Sequence, residues 1–301
     1  MTQPAAQRYL ALDVLRGMTV CFMIIVNNGG TGAKPYAMLR HVPWHGFTPT
    51  DLVYPVFMFV IGNAMAFSMQ KFDQMSTGQA VWKILKRTIL IFLIGYLMYW
   101  YPFIEKNAAG EWIFSPIGKT RILGVLQRIA LCYGLAAFMI YFLSRKMVVI
   151  LSLIFLLGYW LVLYVGGDYS MTGQIGYQID VMILGKNHMP TFDGVVFENQ
   201  GLLGTFPATI NIIIGYFAGL FIRKKGNGYE SISKLMVAGA AMIAVAYIWN
   251  EVFPINKKLW TSSYVLYTCG LALLILGSLI FIIEIVGRKK WTWFFTVFGK
   301  N

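Results

Sequence analysis

His41 and Asp51 stand ten residues apart on a short polar stretch, Arg40-His41-Val42-Pro43-Trp44-His45-Gly46-Phe47-Thr48-Pro49-Thr50-Asp51, which runs straight into an apolar segment. A carboxylate beside an imidazole orients the ring and favours its protonated form, so the pair fits a general base or a nucleophile. The same residues have a plainer reading. Thr48, Pro49 and Asp51 spell a helix start, with a capping threonine, a proline at the first helical position and an acid where a capping box wants one. Asp51 can serve both readings, and a lone His at such a border is also a simple polar contact. His45 and His188 are weaker candidates. Three histidines over two loops lack zinc-site spacing, so no metal is expected.

Further polar groups interrupt apolar runs, where each charge costs about 2.5–3.5 kcal/mol on insertion scales and needs a reason. Asp13 and Arg16 lie three apart on one helical face, either as an ion pair that neutralises itself or as an arginine for an anionic ligand. Arg128, with Gln127 beside it, sits inside another run and Arg121 at its edge; Arg128 either snorkels or lines a cavity. Asn27 and Asn28 precede Gly29-Gly30, as a helix stop or as amides facing a cavity.

The elements that must position these groups are membrane spans. Of 301 residues, 58% are hydrophobic and 12% charged, against roughly 25% charged in soluble domains. Apolar runs near the length of about 20 residues needed to cross the hydrocarbon fall at 10–26, 52–69, 88–103, 124–143, 147–165, 202–222, 235–253 and 264–286. The expected fold is therefore all-α, a polytopic transmembrane helix bundle of about eight complete spans. A ninth begins at Trp291 and meets the chain end at Asn301, so the chain is expected to be a fragment that lacks its carboxy-terminal spans. The chain reads as one integral-membrane domain over 1–301, with an extracytoplasmic loop at 166–201 inside it.

The net charge of +13 is not a nucleic-acid footprint, because Lys and Arg cluster in alternate connections (Lys83, Lys86, Arg87; Arg145, Lys146; Arg223, Lys224, Lys225; Arg288, Lys289, Lys290). The positive-inside bias places those loops and the amino terminus in the cytoplasm, in the cell's inner membrane, with His41 facing outward. Gly215 and Gly219 form a small-xxx-small pair suited to close helix packing.

Ordered along nearly the whole chain are Asp13-Val14-Leu15-Arg16-Gly17, Val26-Asn27-Asn28-Gly29-Gly30, His41 through Gly62 with Thr-x-x-Asp-Leu-Val-x-Pro, Arg121-Ile122-Leu123-Gly124-Val125-Leu126-Gln127-Arg128, Asn187-His188-Met189, Gly201-Leu202-Leu203-Gly204-Thr205 and Asn256-Lys257-Lys258-Leu259-Trp260-Thr261-Ser262-Ser263-Tyr264. In this set the sequence resembles the heparan-α-glucosaminide N-acetyltransferase family of transmembrane acetyltransferases. The resemblance implies an active-site histidine at His41, a supporting aspartate at Asp51 and a substrate or acetyl contact at Asn27. It also implies acetyl-CoA as co-substrate, taken from the cytoplasmic side, and a sugar amine as acceptor on the other side. Arg16, Arg121, Gln127 and Arg128 are the expected donor-binding positions; the matching segments supply Asn28, His188, Lys258, Trp260 and Ser262 as expected acceptor contacts. Where relatives commonly carry Asp-Pro-Glu-Gly, this chain has Glu198-Asn199-Gln200-Gly201, which removes an acid at Gln200.

The expected activity is thus acetyl transfer across a bilayer to an amino sugar or glycan, with a homodimer as a possible assembly and no nucleic-acid partner. The rival reading is a transporter or exporter of a small molecule or lipid-linked sugar, its buried charges lining a path. No internal repeat of useful strength supports the rival.

Overall fold

The computed structural model describes residues 9–29 and 36–300. Ten α-helices and two short hairpins follow one another along them. The helices are α1 (Leu10–Asn27), α2 (Val53–Ser68), α3 (Thr77–Trp100), α4 (Val125–Phe142), α5 (Arg145–Val165), α6 (Ile175–Leu184), α7 (Thr205–Lys225), α8 (Tyr229–Asn250), α9 (Ser262–Ile280) and α10 (Thr292–Lys300). Strands β1 (Ile104–Lys106) and β2 (Trp112–Phe114) pair antiparallel, as do β3 (Thr191–Phe192) and β4 (Val195–Val196).

The chain is an all-α polytopic integral membrane protein. Seven helical segments among the described residues are long and apolar enough to cross a bilayer: Leu10–Asn27, Pro49–Gln74, Val125–Phe142, Arg145–Val165, Thr205–Lys225, Tyr229–Asn250 and Ser262–Ile285. The remaining expected span, 88–103, falls on the second half of α3. That helix has 24 residues, about 36 Å, but its first half carries Lys83, Lys86 and Arg87. Outward faces such as Ile150, Leu153, Ile154, Leu157 and Leu161 on α5 are exposed, as hydrocarbon-facing residues must be.

Local chemistry sets the helix ends. Ser76 and Gln79 form a reciprocal capping box at the start of α3, 3.3 and 3.1 Å, and Ser144 accepts from the Met147 N–H at the start of α5. Helix α7 ends on Arg223-Lys224-Lys225, cations at the negative pole of the helix, and is closed by Gly226 at φ +75.

Two compact units divide the chain: Met1–Gln70 with Asn211–Lys257 and Ser263–Asn301, and Lys71–Ile210 with Lys258–Ser262. In the first, α1 packs against α10 and α2. Helix α2 meets α7 through glycine. A Cβ added at Gly62 would stand 1.9 Å from the Ile212 carbonyl oxygen, and one at Gly215 2.0 Å from that of Phe59. Gly219 lies against Ala66 and Asn63 on the same seam, so the expected small-residue pair is a backbone contact. In the second unit, α3 packs along α4, with Gly95 against Gln127, Gly124 against Tyr99 and Gly134 against Thr88. Within the segment 166–201 the chain forms α6, whose ten residues are too short to cross a bilayer.

Candidate functional site

The polar stretch before α2 folds as its sequence reads. Pro49–Leu52 makes a turn of 3-10 helix leading into α2, with Thr48 and Asp51 joined in a reciprocal capping box. Asp51 is thereby fixed from three directions. Its Oδ2 accepts from the Thr48 N–H at 3.1 Å and the Val42 N–H at 3.3 Å, with the Thr48 hydroxyl 2.9 Å away. Its backbone carbonyl accepts from the Tyr264 hydroxyl at 2.6 Å. Its Oδ1 meets the ring of His41, Nδ1 to Oδ1 2.6 Å. The carboxylate is almost wholly buried (1%), whereas the His41 side chain is 53% exposed. A contact this short carries a proton between the atoms, so Nδ1–H donates to Asp51 and the Nε2 edge is the one turned away from the carboxylate.

A third charged group joins them. The Lys257 ammonium, on the connection between α8 and α9, lies 3.2 Å from Asp51 Oδ1 and 3.1 Å from His41 Nδ1. Burial pulls its pKa down while Asp51 pulls it up. The same connection holds the His41 loop in place: Gly46 N–H donates to the Ile255 carbonyl at 2.8 Å, and the Asn256 amide lies 3.3 Å from His45 Nδ1. Burial lowers the His45 pKa below its ordinary 6.5. Elsewhere in this unit Arg16 pairs with Asp13 at 3.0 Å and is 36% exposed. Helix α1 ends at Asn27, which is exposed, and the Asn28 amide turns back to donate to the Ile24 carbonyl at 2.7 Å, as a helix stop does. Gly30 lies outside the described residues.

The second unit gathers the other expected positions. Arg121 forks onto Glu198, Nε to Oε2 2.9 Å and Nη2 to Oε1 2.5 Å, also donates to Asn199 at 2.8 Å, and stacks on Tyr99. Glu198 thus supplies an acid two residues before the one missing at Gln200. Arg128 is buried and donates through Nη2 to the Gly201 carbonyl at 2.9 Å; its guanidinium lies over the Trp260 ring, and Nε and Nη1 have no hydrogen-bond partner among the described residues. Neither polar atom of the Gln127 side chain, also buried, has a hydrogen-bond partner among the described residues. A cavity of about 20 Å³, room for roughly one water, is lined by Arg128, Tyr159, Gln174, Asp180, Glu198 and Lys258. Asp180 accepts from the Leu202 N–H at 2.9 Å, and burial pushes its pKa up to about 6 against the opposing pull of that bond and of Arg128.

Two expected acceptor contacts are enclosed: Trp260 and Ser262 are both 0% exposed, and the Ser262 hydroxyl donates to the Leu156 carbonyl at 2.7 Å. Trp260 also holds φ +58, a left-handed backbone costly for a bulky residue. Lys258 lies over the Phe192 ring, and His188 Nδ1 stands 2.7 Å from the Thr120 carbonyl, so that nitrogen carries the proton.

The model of the family described as heparan-alpha-glucosaminide N-acetyltransferase, catalytic, matches residues 8–248, well over half of the chain. The chain belongs to this family. It is similar to the heparan-alpha-glucosaminide N-acetyltransferases of Homo sapiens, 27% identical over 359 residues, and Mus musculus, 26% identical over 351. Both alignments cover 97% of this chain and 52% of the relative, so the chain spans about half the length of the curated relatives it matches. The match takes in His41, Asp51, Arg121 and Arg128.

Of the expected site residues, the structure brings His41 and Asp51 into contact in one unit and gathers Arg121, Arg128, Lys258 and Trp260 in the other. Sequence reasoning missed Lys257 and took its neighbour Lys258 instead. The pair Lys257-Lys258 was a visible signal; which lysine turns to Asp51 is set by the fold. It also missed Glu198 as the partner of Arg121, 77 residues away.

Proposed function

We propose that this chain is a transmembrane acetyltransferase that moves an acetyl group from cytoplasmic acetyl-CoA to an amino sugar or glycan on the outer side of the cell's inner membrane. The observation that carries the reading is the His41–Asp51 pair, a buried carboxylate on Nδ1 and an accessible ring edge beyond it. In this mechanism Nε2 of His41 takes a proton from the acceptor as its nitrogen or oxygen attacks the thioester carbonyl. The carbon–sulfur bond breaks and CoA leaves as the thiolate. Asp51 stabilises the imidazolium formed meanwhile, and proton transfer of this kind is worth about 10²–10⁴-fold. In this reading Asn27 donates to the carbonyl oxygen as it gains charge. Among the arginines, Arg16 suits the CoA phosphates best: it is 36% exposed and pairs through Nη2 with Asp13. Arg121 is already occupied by Glu198 and Arg128 is enclosed, which fits them to hold the fold around the acceptor side.

The test is thiol release from acetyl-CoA by membranes holding the native protein or His41→Ala, across amino-sugar and hydroxyl acceptors. Acceptor-dependent release by the native protein alone supports the reading; equal release from both removes His41 from the reaction. Flux of a sugar without acetyl-CoA consumption would favour a transporter instead. Labelled acetyl trapped on His41 with no acceptor present would make the transfer two-step.

A further inference from the structure

We propose that Lys257 is a positioning residue for the His41–Asp51 pair, its ammonium sharing Asp51 Oδ1 with the imidazole and so fixing which ring nitrogen is left to react. The inference rests on the acetyl-transfer reading above and adds a residue to it.

The geometry around the carboxylate is unequal. Oδ2 is taken by the backbone N–H groups of Val42 and Thr48 and by the Thr48 hydroxyl, none of which carries a charge. Oδ1 faces two side chains, His41 Nδ1 at 2.6 Å and Lys257 Nζ at 3.2 Å. The two nitrogens are 3.1 Å apart. Both cannot donate to each other, so with the ring proton on the Oδ1 side the ammonium also points a hydrogen at Oδ1.

A buried carboxylate needs a compensating charge, and leaving one unpaired is strongly destabilising. With Lys257 present, Asp51 is neutralised before any proton reaches the ring. The imidazole can then rest neutral, with Nδ1–H on Asp51 and a lone pair on Nε2. Without Lys257, His41 is the remaining ionisable side chain on Oδ1 among the described residues, and drawing a proton onto the ring becomes the way to neutralise the carboxylate. A ring that is already an imidazolium has no lone pair and cannot act as base. Lys257 also ties the α8–α9 connection to the start of α2, beside the Tyr264 hydroxyl and the Gly46–Ile255 hydrogen bond. Its side chain is 19% exposed, within reach of a small reagent but mostly enclosed. Burial lowers its own pKa, in keeping with an ammonium that depends on Asp51 for its charge.

The bland alternative is that Lys257 only satisfies a buried acid and holds the fold. Two variants in native membranes separate these, Lys257→Met and Lys257→Arg, each checked for thermal stability in detergent. Positioning predicts that Lys257→Met loses roughly tenfold or more of kcat with KM for acetyl-CoA and for the acceptor little changed, and that Lys257→Arg restores most of the loss. Unchanged kcat in Lys257→Met overturns the proposal, as does an effect confined to the acceptor KM, which would make Lys257 a substrate contact. Should Lys257→Met fail to fold, Lys257→Arg decides: native-like kcat supports the proposal and a loss as deep as that of His41→Ala overturns it. If the native protein releases no thiol from acetyl-CoA, the acetyl-transfer reading is what has failed. In that case the nitrogen shifts of the ¹⁵N-labelled His41 ring still test the inference in native protein and Lys257→Arg. A ring protonated on Nδ1 alone in both supports it, and Nε2 protonation in the native protein overturns it.

Discussion

Val42, Thr48, His41 and Lys257 converge on the Asp51 carboxylate. Replacing it by Asn keeps the size and the capping geometry at Oδ2 but puts an amide where Oδ1 accepted from both His41 and Lys257. Asp51→Asn is expected to lower kcat/KM for thiol release by about 10²–10⁴-fold while the protein still folds; a rate within twofold of native would show that the carboxylate plays no part. Asp180 carries a second prediction, in pH. Its pKa of about 6 in the folded protein stands above the ordinary 3.8, because burial penalises the carboxylate. The folded state therefore binds the proton more tightly than the unfolded chain. The stability this adds is fully present below pH 3.8 and is lost as the pH rises through about 6, a difference of about 3 kcal/mol. Melting temperature in detergent should fall over that window in the native protein, and Asp180→Asn, which keeps an acceptor for the Leu202 N–H, should flatten that part of the curve. An identical pH slope in the variant would count against the raised carboxylate.

Helices α2 and α7 touch backbone to backbone because glycine stands at Gly62, Gly215 and Gly219. A side chain at Gly215 has nowhere to go, since its first carbon would already lie 2.0 Å from the Phe59 carbonyl oxygen. Gly215→Val must push the helices apart, at roughly 1–3 kcal/mol or more for overpacking. The expected result is a lower melting temperature and, because Asp51 lies in the turn that leads into α2, reduced activity as well. A variant that melts with the native protein would mean that the two helices are not held by this seam. Gly158, on the exposed face of α5, has open space around its Cβ position, so Gly158→Ala serves as the neutral control.

Acetyl transfer across a membrane needs a donor and an acceptor on opposite sides, and the basic connections predict which side is which. Met38, exposed next to the His41 loop, and Asn227, after the basic end of α7, should lie on opposite faces. Single cysteines placed there, Met38→Cys and Asn227→Cys, are expected to react with a membrane-impermeant maleimide from outside intact cells only at residue 38. Labelling of residue 227 instead would invert the topology and leave His41 facing the cytoplasm. In sealed vesicles of known orientation, acetyl-CoA should be consumed only when supplied on the face that carries Asn227.

Helical class, span positions and the start of α2 were legible in the chain because each depends on neighbours in sequence: apolar length, a capping threonine, a proline at the first turn and an acid three residues after the cap. The glycine seam was legible for the same reason, as a spacing on one helix. The pairing of His41 with Asp51 was within reach, since the loop joining them is short. Contacts closed over long stretches were not. Lys257 reaches Asp51 across 206 residues, and Arg121 reaches Glu198 across 77. Nothing local distinguishes Lys257 from Lys258, yet one turns to the buried carboxylate and the other to the Phe192 ring. A left-handed Trp260 lies two residues beyond Lys258, with its ring against Arg128. Propensity and apolar length act through the nearest few residues, whereas the partner of a buried charge is chosen by packing among helices distant in the chain.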